Sequence, residues 1–250
     1  MAKSSPARSG PRRSSRSRAG AGPVHVKALV NTNVRLQTAD KSDIDVWELQ
    51  TPTATDLSKW AASFRQNYCA DADIDLLRRG TGLSRAEYLT QLVFPDKSVA
   101  PGPSIRSGDF AELLISDYVE HVLGYWVPRS KYADKSSRDE SVKGADILGF
   151  LPKRVIRPAP TDTLLAFEVK AQLVSGTYAK RLQTAVDDSS KDYLRRATTL
   201  NATKRRLLRN GEIDSARVVE RFQNLADRPY IYRSGAAAVL SDMAYDESAI

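Results

Sequence analysis

The chain has 250 residues, of which 41% are hydrophobic, and this is enough for an ordinary core in one large domain or two small ones. The net charge of +8 is concentrated at the start: six of the 38 basic residues and none of the 30 acidic ones lie in residues 1–23, which leaves +2 for the rest. One cysteine excludes an internal disulfide, and with only two histidines beside it we expect no zinc site of the Cys/His type.

Residues 1–23 form a basic, Ser/Arg-rich segment that we expect to be disordered. Such a tail can attract phosphate without sequence preference, or it can simply keep the chain in solution. No apolar run approaches the roughly 18 residues that a membrane span needs. The start of the chain also lacks the apolar segment of a secretory signal. The expected location is therefore the cytoplasm, without a membrane partner.

Residues 24–104 are predicted to form an N-terminal α+β region that packs on the core or on a partner. The segments VHVKALVNTNVRLQT and DIDVWELQT have the β-branched content of strands. A helix starting at Thr55 and Asp56 is predicted next from apolar residues at helical spacing. These are Leu57, Trp60, Ala61, Phe64 and Tyr68. Ser84 and Glu87 have capping-box spacing and predict a short helix over 85–93.

Residues 105–250 are predicted to form an α/β core. SGDFAELLISDYVEHVLG has helical spacing, with Ser107 as its N-cap and Gly124 at its end. Three predicted strands follow in YWVPRSKY, ADILGFL and TDTLLAFEVKA, and helical segments then run from Tyr178 to about Ala226. YIYR and AAAVLS are predicted as two further strands.

The segment LLAFEVKA, residues 164–171, places two charges inside an apolar strand. Alternation puts Glu168 and Lys170 on one face, about 6.5–7 Å apart at Cα. Buried charges need partners, so the pair indicates a binding or catalytic site if that face is covered. If the strand instead lies at the edge of the sheet with one face in solvent, Glu168 and Lys170 are ordinary surface residues.

Two more acidic residues favour the interpretation of the Glu168–Lys170 pair as part of a binding or catalytic site. Asp146 opens the preceding predicted strand, and Glu112 lies at the edge of the apolar stripe of an upstream helix. A helix Glu, then Asp, then Glu-x-Lys on a strand resembles the PD-(D/E)xK, or restriction-endonuclease-like, nuclease superfamily. The likeness spans Ser107 to Tyr193, and Ala145 stands where the superfamily name has proline.

A closer resemblance is to the nuclease subunits of the Hachiman anti-phage defence system, carried by SGDFAELLISDYVEHVLG, SVKGADILGF and LLAFEVKAQ. It implies a restriction-endonuclease-like core, a mixed central β-sheet flanked by helices with an N-terminal α+β extension. It also implies a superfamily-2 helicase as partner. Glu112, Asp146, Glu168 and Lys170 match the catalytic positions of this family.

The chemistry of phosphodiester cleavage suggests a role for each of these residues. Mg²⁺, or Mn²⁺ in its place, prefers hard oxygen ligands, which Asp146, Glu168 and the backbone carbonyl of Val169 would provide. Lys170 would favour a hydroxide nucleophile and stabilise negative charge in the transition state. Glu112 would orient a metal-bound water or bind a second ion.

Basic residues and one amide near this motif are predicted to contact nucleic acid. The segment Tyr178–Arg209 carries nine Lys/Arg against three Asp, a pattern that suits a DNA backbone but is also typical of a solvated helix face. Gln172 has the alternative of a simple strand-end residue, and Asp187 and Asp188 are interpreted as helix surface or as contacts to a partner. The predicted contacts are Lys143, Gln172, Arg195, Arg196, Lys204 and Arg205.

The resemblance thus implies a metal-dependent DNA nuclease in anti-phage defence, controlled by an ATP-dependent helicase. The sequence contains no G-x-x-x-x-G-K-[ST] motif, so hydrolysis of ATP would fall to another subunit. The alternatives are a non-cutting module that binds DNA or docks a helicase, and a restriction endonuclease that acts alone.

Overall fold

A three-stranded sheet in the order β3-β4-β5 organises the second half of the chain. The strands are β3 (Ile147–Leu151), β4 (Thr163–Gln172) and β5 (Ile231–Leu240). β3 is antiparallel to β4, whereas β4 and β5 are parallel. The sheet is therefore mixed, as predicted. The computed structural model describes residues 22–38, 40–154, 157–174 and 176–250; residues 1–21 of the predicted tail lie outside them.

Helices cover both faces of this sheet. The helices of this half of the chain are α4 (Gly102–His121), α5 (Arg181–Ser189), α6 (Asp192–Arg209) and α7 (Ile213–Glu220). On one face, Ala111 and Val119 of α4 pack with Leu165 and Val169. On the other face, α6 and α7 pack against the sheet through a cluster that includes Leu148, Phe150, Leu164, Ala166, Leu200, Leu207, Val219 and Phe222. β4 is thus covered on both faces, which is why its sequence is so apolar.

The N-terminal residues form a separate hairpin followed by short helices. β1 (Leu29–Gln37) and β2 (Asp43–Leu49) pair antiparallel. They are followed by α1 (Ala54–Arg65), α2 (Ile74–Leu77), and α3 (Arg85–Tyr88), which continues into a π-helical turn at Leu89–Val93. Short 3₁₀ turns lie at Val26–Ala28, Asp242–Ala244 and Glu247–Ala249. The strands, the amphipathic helix and the capping box at Ser84 are therefore confirmed.

This N-terminal region packs on α4. His25 is buried, stacks on Trp60 with ring centroids 4.7 Å apart, and places Nε2 2.6 Å from Oδ2 of Asp117. Tyr68 donates a hydrogen bond of 2.7 Å to Asp109. Both aspartates belong to α4, so the helix is held between the sheet and the N-terminal region.

Several predicted boundaries are wrong, for local reasons. α4 begins at Gly102, because Pro101 precedes its first turn, and Ser107 is an interior residue that donates its hydroxyl hydrogen bond to the Pro103 carbonyl. The N-cap of α1 is Thr53, whose side chain accepts from the Asp56 N–H, rather than the predicted Thr55. Gly124, with φ +77°, lies three residues beyond the end of α4.

Two predicted strands also differ from the structure. YWVPRSKY makes a single bridge, Trp126 with Phe150, and is otherwise irregular. YIYR and AAAVLS belong to one continuous strand, β5. In this strand Gly235 lies against the ring of Phe167, which leaves no room for a side chain at this position. None of the helices among the described residues combines the length and apolar character that crossing a bilayer requires.

Candidate active site

Asp146 and Glu168 lie side by side because of the β3-β4 register. Ile147 pairs with Phe167, so Asp146, one residue before β3, lies across from Glu168. Its Oδ2 accepts a hydrogen bond of 2.8 Å from the backbone N–H of Val169. Since the N–H and C=O of one strand residue point to the same side, the Val169 carbonyl also faces Asp146. The two carboxylates and this carbonyl, predicted as metal ligands, are thus brought together.

Glu168 and Lys170 share a face, as the strand alternation predicted. The Glu168 side chain is almost fully buried, and Lys170 Nζ lies 3.5 Å from its Oε2. Lys170 Nζ is also 2.9 Å from Oδ2 of Asp188, on α5. This face of β4 is therefore covered near the motif, which excludes the solvated edge strand considered as an alternative.

The start of α6 adds two side chains to the same place. Arg195 donates from Nη2 to Oε1 of Glu168 at 3.0 Å and to Oδ1 of Asp192 at 2.8 Å. Asp192 is fully buried, and its Oδ2 has no hydrogen-bond partner among the described residues. A buried carboxylate oxygen without a partner is unfavourable unless a cation or water satisfies it.

The acidic side chains of the site resist ionisation. Burial raises the pKa of Asp146 to about 6, and the charge of Glu168 adds to this rise. Burial, and then the charge of Asp192, raise the pKa of Glu168; burial also raises the pKa of Asp192. A divalent cation would relieve this repulsion, and the donors are hard oxygens. The residues therefore fit Mg²⁺ or Mn²⁺.

Lys170 and Asp188 behave in the opposite way. Burial alone would lower the pKa of Lys170, but the hydrogen bond to Asp188 and the charges of Glu168 and Asp146 raise it. The hydrogen bonds from Lys191 and Lys170 lower the pKa of Asp188 to about 2. Lys170 is therefore a permanent cation at neutral pH, suited to stabilising negative charge and not to accepting a proton.

Glu112, predicted to orient a metal-bound water or to bind a second ion, approaches Asp146 through an intervening lysine. It lies on α4, which covers the opposite face of the sheet, and its carboxylate pairs with Lys131 and accepts from the Tyr132 hydroxyl at 3.0 Å. Lys131 Nζ in turn donates to the backbone carbonyl of Asp146 at 2.5 Å. Glu112 thus reaches Asp146 through Lys131. Burial raises the pKa of Glu112, and the charge of Asp146 contributes.

Another acidic group could be mistaken for the metal site. Among the described residues, a set of three potential ligands within 4.8 Å of one another is found at Asp117, Glu120 and His121. Arg129 pairs with both of these carboxylates, at 2.6 Å in the case of Asp117. One guanidinium therefore bridges these two carboxylates, and none of the three residues belongs to the motif that the sequence predicted as the metal site.

The predicted nucleic-acid contacts fall into different places. Lys143 is exposed at a cleft beside Asp146, whereas Arg195 is turned into the carboxylate site. Arg196 stacks on tyrosine rings, 4.7 Å from the centroid of Tyr193. Lys204 pairs with Glu220 of α7, and Arg205 is exposed. Gln172 accepts from the Ala179 N–H and donates to the Thr177 carbonyl, which favours the alternative of a strand-end residue.

Comparison with known protein families decides the identity. A sequence model of the HamA family matches residues 23–249, which include every residue of the site. The chain belongs to the HamA family. HamA is a component of the Hachiman system, so the role of this chain is in anti-phage defence. No match was found among curated proteins or among solved structures.

Three residues of this HamA site were missed by sequence reasoning. Lys131 comes from an irregular segment that was predicted as a strand, and Asp192 looks like an ordinary acidic residue in the first turn of a helix. Asp188 was interpreted as helix surface, yet it pairs with Lys170. The only available signal was composition, since acids next to Lys191 and Arg195 suggest a charge network without indicating where it lies.

Proposed function

We propose that this chain is a metal-dependent DNA nuclease of the PD-(D/E)xK type that acts in Hachiman defence. The observation that supports this best is the contact between Asp146 and the E-V-K segment of β4. It places two carboxylates, a backbone carbonyl and a lysine on one site. The resemblance of the same residues to the superfamily motif supports the reaction class.

Each of these residues would have a separate role in phosphodiester hydrolysis. Asp146, Glu168 and the Val169 carbonyl would hold Mg²⁺ or Mn²⁺, which when bound supplies charge neutralisation and lowers the pKa of an attacking water. Lys170 holds a positive charge beside that position and stabilises charge that develops on the phosphate. Glu112 acts indirectly, because it holds Lys131 in position against the Asp146 carbonyl.

The proposed substrate is DNA, and the proposed partner is a superfamily-2 helicase. The chain carries no P-loop motif, so coupling to ATP requires another subunit. In this structure Arg195 pairs with Glu168 and Asp192, and Lys170 pairs with Asp188, so cationic side chains already occupy part of the site. A protein held in this way needs a change at α5 or α6 before a metal and a phosphate can enter together.

The decisive experiment compares cleavage by the full chain and by Asp146→Ala and Glu168→Ala variants. Labelled DNA is incubated with Mg²⁺, with and without the helicase and ATP. We expect both variants to lose cleavage at least a hundredfold, because each removes a metal ligand. Asp214→Asn, an exposed residue of α7, serves as the control of equal charge change and should cut normally.

The same experiment separates the alternatives. Equal cleavage, or equal absence of cleavage, in the unsubstituted chain and both alanine variants would refute the catalytic proposal and favour a non-cutting module. Discrete fragments produced without helicase or ATP would instead indicate a restriction endonuclease that acts alone.

A further inference from the structure

A polar cleft adjoins the carboxylate site. It is lined by Asp146, by residues of the irregular segment before β3 and by residues from the middle of α6. Besides Asp146, the polar side chains that line it are Ser130, Lys131, Lys143, Thr199, Thr203 and Arg206. Each of these six carries a hydroxyl or a positive charge, and this composition is suited to a phosphate group.

The charges around the cleft leave a positive excess. Asp134 is shared by Arg206, at 3.0 Å, and Arg209, at 2.7 Å, so two guanidinium groups face one carboxylate. Lys131 is balanced by Glu112. Lys143 is exposed and makes no ion pair or side-chain hydrogen bond with any part of the chain that the structure describes. With Asp146 counted, four cations face three carboxylates around the cleft, which leaves an excess of one positive charge for an anion.

The backbone keeps Lys143 at the edge of the cleft. Gly144, the next residue, has φ +126°, a conformation that other residues rarely adopt. A Cβ at Gly144 would lie 3.2 Å from Oγ1 of Thr199, so the chain passes directly against α6 there. The Thr199 hydroxyl also accepts from the Ala145 N–H at 3.4 Å. These contacts fix the position of Lys143 relative to α6 and Asp146.

We propose that this cleft binds a backbone phosphodiester of the nucleic-acid strand, next to the phosphate that is cut. Lys143 and Arg206 supply the charge, and the buried hydroxyl of Thr203 supplies a hydrogen bond. The inference rests on the proposed nuclease function for its substrate class. It goes further by assigning the path of the nucleic-acid strand. This strand would cross the middle of α6 and run toward the start of β3, next to Asp146.

The test is DNA binding by the full chain in EDTA, where no metal-dependent cleavage occurs. Fluorescence anisotropy of a labelled oligonucleotide is compared for the unsubstituted chain, Lys143→Gln and Lys97→Gln. Lys97 is an exposed lysine before α4, outside the cleft, and provides the matched control. We expect Lys143→Gln to weaken binding about fivefold at 0.1 M salt and to reduce the salt-dependence slope by about one. Lys97→Gln should stay within about twofold of the unsubstituted chain.

A second variant separates the cleft from general surface charge. Thr203→Val keeps the volume and removes the hydroxyl, so we expect weaker binding with an unchanged salt slope and an unchanged thermal midpoint. Equal affinities for Lys143→Gln and Lys97→Gln would overturn the proposal. Competition by free ATP as strong as by unlabelled DNA at equal phosphate concentration would also overturn it, by indicating a nucleotide site.

Failure of this inference can be distinguished from failure of the nuclease proposal. Binding in EDTA does not depend on cleavage. If Asp146→Ala leaves cleavage unchanged while Lys143→Gln still weakens binding, the catalytic assignment fails and the phosphate cleft stands. If Asp146→Ala abolishes cleavage while Lys143→Gln binds DNA as tightly as the unsubstituted chain, the cleft proposal fails and the catalytic assignment stands.

Discussion

Oδ2 of Asp146 accepts a hydrogen bond of 2.8 Å from the backbone N–H of Val169. β3 begins at the next residue. The Asp146 side chain therefore accepts the Val169 N–H where a further residue of β3 would have offered its backbone carbonyl. The bond holds Asp146 at the centre of the Glu168–Lys170 segment. Replacement by Asn would keep an acceptor for the Val169 N–H and would remove only the negative charge.

The first prediction concerns stability and pH. Because the pKa of Asp146 is raised to about 6 from its ordinary value near 3.8, the folded state binds more protons than the unfolded state between these values. Its contribution to the free energy of unfolding therefore falls as pH rises from about 4 to about 6. Asp146→Asn should be more stable than the unsubstituted chain at pH 8, by about 1–3 kcal/mol, and equal to it at pH 4.

Urea unfolding in EDTA at pH 4 and pH 8 measures this difference. Asp188→Asn is the control of opposite sign, because the low pKa of Asp188 means that its carboxylate stabilises the folded state at neutral pH. A variant Asp146→Asn that is less stable than the unsubstituted chain at pH 8 would contradict the raised pKa.

The second prediction concerns metal binding and pH. The carboxylate of Asp146 must lose its proton before it can coordinate a cation. We expect the affinity for Mn²⁺ to be constant above about pH 7 and to fall by roughly tenfold per pH unit below about 6. Isothermal titration calorimetry of the nucleic-acid-free chain gives this profile directly. An affinity that does not change between pH 5 and pH 8 would exclude Asp146 as a ligand.

The third prediction concerns Arg195. Its guanidinium pairs with Glu168 and Asp192, so a metal that binds Glu168 must compete with it. Arg195→Gln should therefore tighten Mn²⁺ binding severalfold, measured by calorimetry at pH 8. Arg205→Gln, an exposed position on the same helix, should leave the affinity unchanged. Weaker metal binding in Arg195→Gln would mean that the arginine orients the carboxylate and does not compete for it.

The fourth prediction concerns Lys131. Lys131→Met leaves the Glu112 carboxylate buried without its cation, and breaking such a pair destabilises a protein by roughly 3–5 kcal/mol. The double variant Lys131→Met with Glu112→Gln removes both charges and should recover part of this loss. Thermal unfolding of the two single variants and the double variant measures the coupling. Additive changes would show that the pair contributes no stability of its own.

The sequence located the part of the site that depends on local periodicity. Strand alternation correctly predicted that Glu168 and Lys170 share a face, because the period of two is a property of the strand itself. The closeness of Asp146 followed from the order of the motif in a known superfamily. Neither inference needed the three-dimensional arrangement of the helices.

The rest depends on tertiary packing. Asp192 and Arg195 meet Glu168 only because α6 crosses the sheet at that point, and no local pattern encodes the crossing. For the same reason, the helix pattern of α4 placed Glu112 near the motif but did not show that Lys131 lies between Glu112 and Asp146. The start of α4 at Gly102 differs from the predicted one for a local reason, since Pro101 immediately precedes the first turn and Ser107 lies inside the helix.

The contacts of Tyr68 with Asp109 and of His25 with Asp117 bear on how the chain can be divided. Both aspartates belong to α4, and removal of residues 24–104 would leave Asp109, buried at 6% exposure, without the Tyr68 hydroxyl and with its apolar surroundings open to water. The helix that supports Lys131 through Glu112 thus needs the N-terminal region for its own packing. The half of this protein that carries the candidate site is therefore not independent: to transplant it into another protein, residues 24–104 would have to go with it.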